Sequence, residues 1–553
     1  MNKKLFSYLL LGLIIFTAGF LRFYQLDHSD VINDEAIIGF RSIGYIDFFS
    51  SPYQTTPWEW FSDVPAWARL SFHDHPPLTF VLQHISFKLF GQNLFALRLP
   101  FALAGVASVV LLYLIAKNLY GKKSGIIAAL LLAVSSYHVW VSRTGLQEAL
   151  VIFFILLTLF LFLKALENGQ HWWWGISLGL AMLTKYTTFI LPLGFICYLF
   201  FFKRSVLVNK KFWLAICLAA LIFSPVIFYN IKMYQTVGHF DLQFSYLFGQ
   251  QVAEWQSLPG KEQMGDFIDR LKNIIPAIYQ GFLWPMFFML IASFGFLGLK
   301  IFKSRVDNDA KKNWLPVIAI IFYLLFFLLI GPSKRFVVIL VPFVILLIAW
   351  FIGSLPRAAR IILLIILIPL EIFFSCNTLL AYNPIGTRGL TYSYLDIENY
   401  NWGYNQLDSY LSNILADKKP AFSLETKYPF LETIRKKSLN EAKNKSELAA
   451  LIVYDPNFYD LATFWTFHRR LVYASWPIVS ADVYLQQGKD FWQSQGISDV
   501  YFFKIKDPLI LSQSVTVFST AAEELANSFD SIQPDIIKRP DGREVFEVYH
   551  WQF

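Results

Sequence analysis

The sequence predicts an α-helical polytopic membrane protein of about eleven transmembrane helices, followed by a C-terminal extracytoplasmic α/β domain. Three observations carry this expectation. The 553 residues are 56% hydrophobic, 18% aromatic and only 16% charged, too little polar material for an ordinary soluble fold. Mean hydropathy is +0.47, and apolar stretches recur up to about residue 380. Beyond that point hydropathy drops and short apolar runs alternate with amphipathic ones, as in a globular domain.

Stretches long enough to span a bilayer lie near 5–24, 95–116, 124–141, 148–166, 171–184, 186–202, 212–230, 282–302, 314–331, 335–353 and 359–379. The first has a Lys-rich front end but no small-residue cleavage site, so it reads as a retained span. Residues 76–90 carry Gln83, His84 and Lys88 and are too short and polar to cross; they read as a helix at the outer surface. With that segment left outside, six segments fall on one side, five of them plainly basic: Lys3 and Lys4, Lys117 with Lys122 and Lys123, Lys164 to His171, Lys203 to Lys211, 300–312, and Arg357 with Arg360. That side is the cytoplasm, which puts the N-terminus inside and the C-terminus outside. The 17 Trp and 27 Tyr suit many water–lipid boundaries. The net charge of +8 fits basic loops, and without a long Lys/Arg block it does not point to nucleic acid. Cys197, Cys217 and Cys376 lie in or beside apolar stretches, and no disulfide or metal framework is visible.

The division expected is a membrane domain over 1–380 and a soluble domain over 381–553. The membrane domain carries two large outer loops, 25–94 and 232–281. In the tail, 451–454, 500–503 and 545–549 read as strands, with helices near 404–415, 441–450 and 520–528. The tail shows no nucleophile elbow, phosphate loop or metal spacing.

Charged residues gather at the outer ends of the spans. Asp34 and Glu35 follow the first span; they fit either a helix start behind the N-cap Asn33 or a catalytic acid pair. His73, Asp74 and His75 precede Pro76-Pro77 and fit a structural turn or a metal pair. Arg98 and Arg143 fit snorkelling anchors or site residues. Glu148 flanks a short outer loop, Lys185 interrupts an apolar stretch beside Tyr186, and Lys334 with Arg335 breaks the positive-inside pattern, which favours an anionic ligand. Acids surrounded by cations suit proton removal from an acceptor and stabilisation of a phosphate leaving group.

In this ordered set the sequence resembles the GT-C type membrane glycosyltransferases, which include protein O-mannosyltransferases and aminoarabinose transferases. The matching elements are Asp34-Glu35, His75-Pro76-Pro77-Leu78, Leu97-Arg98-Leu99-Pro100, Ser142-Arg143-Thr144 with Glu148, Leu183-Thr184-Lys185-Tyr186, and Lys334-Arg335-Phe336. The resemblance implies an inverting glycosyltransferase of the cell membrane. It would move one sugar from a polyprenyl-phosphate donor to a lipid, glycan or protein acceptor on the outer face. It also implies Asp34 as general base and Glu35 as its orienting partner. Lys185, Arg335 and Lys334 would bind the donor phosphate, with Arg98 and Arg143 stabilising the site. His73, Asp74, His75, Glu148 and Tyr186 would serve the acceptor or the structure. No cofactor is required by this reading, and a divalent metal on Asp34 or the histidines is compatible with it. Two other readings stand beside it: an oligosaccharyltransferase-like enzyme with a lipid-pyrophosphate donor, and a lipid transporter or flippase.

Overall fold

The computed structural model describes residues 3–48, 55–255, 265–303, 308–399, 401–507, 519–529 and 532–553. The middle of the expected loop 232–281 and the tip of the basic segment 300–312 lie outside the described residues. The chain forms two compact units: Met1–Leu26 with Ala66–Asn399, and Asp27–Pro65 with Tyr400–Phe553.

The first unit is helical. Seven of its described helices are long and apolar enough to cross a membrane: Leu94–Tyr120, Glu148–Asn168, Lys210–Val237, Phe267–Lys303, Lys312–Ile330, Lys334–Ser354 and Arg357–Leu379. The first apolar helix, Lys3–Phe23, and the helices Leu78–Phe90 and Tyr186–Phe202 have shorter apolar parts. Leu78–Phe90 has 13 residues, which at about 1.5 Å each falls short of a bilayer. Many large apolar side chains stay exposed on the outside of the bundle, such as Phe16, Leu221, Phe288 and Ile365, as a lipid-facing surface requires.

Lys122–Val134 and Ser136–Arg143 form one further apolar pair, bent by 56° at Ser135. The sequence reading ran a single span through 124–141, and the break has a chemical basis. Its freed carbonyls find donors, since Arg22 donates to Leu132 O at 3.1 Å and Ala133 O at 3.0 Å, and Ser375 Oγ donates to Val134 O at 2.9 Å. The Ser136 N–H donates to the Glu371 carboxylate at 3.3 Å. An interrupted helix in a lipid-embedded bundle survives when its backbone is satisfied by neighbours in this way. Trp172–Met182 is likewise short, at 11 residues, and is held by close approach. Gly175 and Gly179 lie four apart, and a Cβ would sit 2.3 Å from Ala215 O at the first and 2.7 Å from Ile222 Cβ at the second. Small residues at this spacing let helix backbones meet without a hydrophobic drive. The helix Phe267–Lys303 leaves helical geometry at Leu283, two residues before Pro285, whose ring supplies no N–H to the turn before it.

The second unit contains seven strands: β1 Lys418–Pro420, β2 Ser446–Leu448, β3 Ala450–Tyr454, β4 Ile478–Ser480, β5 Asp499–Ile505, β6 Asp535–Lys538 and β7 Glu544–Gln552. β1 and β2 pair in parallel, and the other five form one sheet in the order β4-β3-β5-β7-β6. β3 is parallel to both neighbours, and β7 is antiparallel to both of its own. The period of two divides the side chains between two cores. Ile452 and Phe503 pack with Leu407 and Leu411 of the helix Tyr404–Ile414, whereas Leu451, Val453 and Phe502 pack with Tyr484 and Leu525. The expected strands fall within β3, β5 and β7, and the expected helices near 404–415 and 520–528 are Tyr404–Ile414 and Ala521–Asn527. The expected helix at 441–450 is absent: a helix ends at Glu441, and 446–448 is β2. Residues 443–447 offer no apolar side chain for a helix to bury, and 446–448 pair with β1 instead.

Asp30 explains why Asp27–Pro65 folds with the tail. Its buried carboxylate accepts the backbone N–H groups of Trp402, Gly403, Tyr404 and Asn405 at 2.6, 3.0, 3.2 and 3.0 Å. These are the free donors at the start of the helix Tyr404–Ile414, so Asp30 caps that helix from a distant stretch of chain.

Candidate active site

Glu148 opens the helix Glu148–Asn168, where an acid is favoured by the free N–H groups of the first turn, and it is fully buried. Its Oε1 accepts from Lys185 Nζ at 2.5 Å and from Arg335 Nε at 3.2 Å. Lys185 stands between the helix Trp172–Met182 and the 3₁₀ turn Tyr186–Phe189, and its ammonium lies 5.1 Å from the Phe336 ring centroid. Arg335 sits on the helical turn Lys334–Val337, opened by Ser333, whose hydroxyl accepts the Phe336 N–H. A buried carboxylate needs a partner, and here it has two. The one acid is shared by two cations, and the Arg335 side chain keeps 22% exposure. The same turn places Lys334, whose Nζ donates to Tyr394 O at 3.3 Å and whose carbonyl accepts the Tyr137 hydroxyl.

The motif His75-Pro76-Pro77-Leu78 joins this cluster through the backbone. Neither proline has an N–H, so Leu78 supplies the next donor, bonding Leu183 O at 2.9 Å beside the Lys185 turn. Thr79 Oγ1 donates to Thr184 O at 3.5 Å. Asp74 lies 3.1 Å from His75 Nδ1 and 4.0 Å from His73 Nδ1. His73 is buried and accepts the Leu242 N–H on its carbonyl at 2.8 Å, which ties this loop to the one following the helix Lys210–Val237.

In that second loop Asp241 caps the helix Leu242–Leu247, accepting Phe244 N–H at 2.8 Å. It also accepts Asn230 Nδ2 at 3.1 Å and the Tyr186 hydroxyl. Burial pushes its carboxyl up to about 6, against the pull of these donors. Arg98 and Arg143 serve the backbone: Arg98 Nη1 donates to Leu26 O at 2.6 Å, and Arg143 Nη1 to Leu21 O at 2.9 Å and Tyr24 O at 2.7 Å. They satisfy carbonyls left over at the end of the helix Lys3–Phe23.

Asp34 and Glu35 belong to the second unit, where they open the helix Asp34–Gly44. The Asn33 side chain caps it by accepting the Glu35 N–H at 2.9 Å. Glu35 is fully buried and Asp34 half-buried. The structure therefore gathers Glu148, Lys185, Lys334, Arg335 and the 75–78 motif in the first unit, with His73, Tyr186 and Asp241 joined through the two loops. It sets the acid pair on a helix of the second unit. Sequence reasoning passed over Asp241, Asn230 and Gln147. Asn230 ends the expected span 212–230 and lies within the helix Lys210–Val237, and Asp241 lies in the loop expected over 232–281. Gln147 is fully buried next to Glu148, and neither end of its amide has a hydrogen bond among the described residues. A polar residue adjoining the acid that starts a span was the available signal.

The first unit is thus a bundle of apolar helices with a paired cation–carboxylate cluster at its helix ends, in a chain whose sequence resembles the GT-C type glycosyltransferases. A family profile described as dolichyl-phosphate-mannose-protein mannosyltransferase matches residues 74–229, which include His75, Arg98, Arg143, Glu148 and Lys185. Two Bacillus subtilis proteins are similar in sequence. "Putative mannosyltransferase YkcB" is 30% identical over 286 residues, 47% of this chain and 38% of the relative. "Putative mannosyltransferase YycA" is 30% identical over 175 residues, 31% of this chain and 24% of the relative. The matched segments thus span well under half the length of either relative. Among solved structures, ArnT from Cupriavidus metallidurans bound to undecaprenyl phosphate matches with a TM-score of 0.52 at 13% identity, over 97% of both chains, and so shares the fold.

Proposed function

We propose that this protein is an inverting glycosyltransferase that moves one sugar from a polyprenyl-phosphate donor to an acceptor outside the cytoplasm. The observation that supports it most is the pairing of Lys185 and Arg335 on the buried Glu148, at the end of an apolar bundle. A sugar phosphodiester carries one negative charge. The leaving lipid phosphate carries about 1.5 to 2 at neutral pH, so cations held ready on Glu148, with Lys334 beside them, interact more strongly as the bond breaks. The donor's lipid chain suits the apolar groove of about 410 Å³ lined by Leu82, Leu89, Leu103, Phe153 and Phe154, the last two on the helix that Glu148 opens.

In the reaction the acceptor oxygen attacks the anomeric carbon and the carbon–oxygen bond to phosphate breaks, its electron pair leaving with the phosphate. Asp34 takes the acceptor proton. Glu35, buried beside it, orients Asp34 or the acceptor. Arg98 and Arg143 stabilise the site by fixing the end of the first helix, and His73, Asp74, His75 and Tyr186 hold the loops around it. One displacement inverts the anomeric centre and needs one carboxylate base. Metal is not required for it. The enzyme sits in the cell membrane with eleven spans, its N-terminus cytoplasmic and its α/β unit outside.

The test uses purified protein and a polyprenyl-phosphate sugar. Asp34→Asn keeps size and much of the hydrogen bonding but loses basicity, and should lower the rate by about 10²- to 10⁴-fold. Loss of an acid at a helix start would cost only about 1 kcal/mol of stability. Lys185→Met and Arg335→Met should each weaken donor binding by roughly tenfold or more, the worth of one charged hydrogen bond. Near-normal transfer by Asp34→Asn, or unchanged donor affinity in both cation variants, would remove these assignments. Transfer from a lipid-pyrophosphate sugar alone would replace the donor class.

A further inference from the structure

The helix that carries Asp34 also carries Phe40, six residues or about 9 Å further along its axis. Phe40 forms one wall of a cavity of about 340 Å³ built wholly from the second unit. Phe40 and Phe464 lie 5.6 Å apart by ring centroid, Phe48 and Tyr428 5.7 Å, and Phe40 and Phe48 6.3 Å. All four rings line the space, so it is walled by aromatic surface.

Its edges are polar and mix both signs of charge. Arg435 is bound twice to Glu432, at 2.7 and 2.6 Å, and to Ser423 Oγ at 2.5 Å; Glu432 also lies 3.8 Å from Lys436, whose side chain is 75% exposed and does not line the cavity. Lys427 and Glu425 stand two residues apart on the same loop and offset each other. His468 faces the cavity and makes ring contacts with Phe464 and Tyr454. Among the described residues its imidazole has no hydrogen bond, and burial holds it down at about 4, so near neutral pH it offers one donor and one acceptor without charge. Phe464 and His468 lie on one π-helical turn, Phe464–His468, inserted between the helices Asp460–Thr463 and Arg469–Ala474. Such turns are rare and occur mostly where a site needs them.

These features select a class of ligand. An anion would meet the Glu425 carboxylate beside Lys427, and an Arg435 already engaged by Glu432 and Ser423. An acyl chain would leave His468 and the loop hydroxyls without partners, which is costly in a buried setting. A pyranose ring satisfies both halves, with C–H faces for the aromatic walls and hydroxyls for the imidazole and the polar edge, and the volume lies within the usual range of small-ligand sites. We propose that this cavity binds an uncharged hexopyranose unit of a glycan, and that this glycan is the acceptor whose hydroxyl Asp34 deprotonates. The binding half stands alone, and the acceptor half rests on the transfer reaction proposed above.

The test uses the full-length protein in lipid nanodiscs, free of sugar-headed detergent, with mannotriose, maltotriose and cellotriose as probes followed by saturation-transfer NMR. At least one trisaccharide should bind saturably. Tyr428→Ala and His468→Ala should each weaken it roughly tenfold, the loss of one stacked ring or one buried hydrogen bond. His468→Gln, which restores an uncharged donor and acceptor, should recover most of the affinity and so separates ligand contact from misfolding. Lys185→Met should bind the trisaccharide as the natural protein does while failing to use donor. If no probe saturates, or if binding survives both alanine variants unchanged, the cavity is not a sugar site, whatever the transfer assay shows. Saturable, variant-sensitive binding in a protein that uses no lipid-phosphate donor would uphold the cavity and remove the proposed transfer.

Discussion

Asp241 shows how much one residue can report. Its carboxylate gathers Phe244, Asn230 and Tyr186, yet burial raises its pKa to about 6, above the ordinary 3.8. A folded-state pKa above the unfolded value means that folding takes up a proton. The stability this group contributes is therefore complete below about pH 4 and is lost as pH rises through about 6. Asp241→Asn keeps the cap and cannot titrate. The difference in unfolding midpoint between the natural protein and this variant should favour the natural protein most below pH 4 and shift toward the variant above pH 6. A difference that does not change with pH would mean the carboxyl titrates normally. Residues of this kind were hidden in the sequence because their partners lie far along the chain: Asp241 meets Tyr186 from 55 positions away. Glu148, Lys185 and Arg335 were legible for the opposite reason, as charges set against apolar stretches need a purpose wherever they fold.

Elements were legible where burial follows a simple period and obscure where a distant group supplies what the local sequence lacks. The long apolar helices and strands β3, β5 and β7 follow directly from hydropathy and alternation. The bend at Ser135 does not, because it depends on Arg22, Ser375 and Glu371 arriving from other helices. Neither does the start of the helix Tyr404–Ile414. Its local N-cap is Gly403, which has no side chain to accept the free N–H groups, and Asp30 does so from more than 370 residues away. Removing that carboxylate should leave four backbone donors of residues 402–405 unmet. We expect Asp30→Ala to cost at least about 2 kcal/mol, and Asp30→Asn less, since one oxygen still accepts. Limited proteolysis of the full-length protein should show cleavage in the second unit rising in the order natural, Asn, Ala. Equal resistance in all three would mean that the cap adds nothing beyond the surrounding packing.

At the scale of the whole molecule, two kinds of cation must be told apart before an orientation can be argued. Lys122, Lys123, Lys203, Arg204, Lys210, Lys211 and Arg357 are exposed at helix ends, and the sequence places all of them in short connections. Solvated charges of this sort report membrane sidedness, because moving them across a bilayer is what insertion avoids. Lys185 and Arg335 occupy the opposite helix ends and are bound to a buried carboxylate, so they are not freely solvated charges and should be left out of the charge count. Counted this way, the solvated cations agree with the proposed orientation, in which the connections 117–123, 203–211 and 354–360 are cytoplasmic. Under that orientation Lys185, Arg335 and the residues after Leu379 are expected outside. The helix Leu78–Phe90 is the element on which this depends, since a crossing there would reverse every later connection. A cysteine at Gln92, just after that helix, should react with a membrane-impermeant maleimide in intact cells, and a phosphatase fused after Phe553 should be active only when exported. The natural cysteines, Cys197, Cys217 and Cys376, lie within apolar helices and give the background. If Gln92→Cys were shielded and the fusion at Phe553 inactive, the helix would be a twelfth span, the α/β unit would be cytoplasmic, and an acceptor outside the cell could no longer meet Asp34.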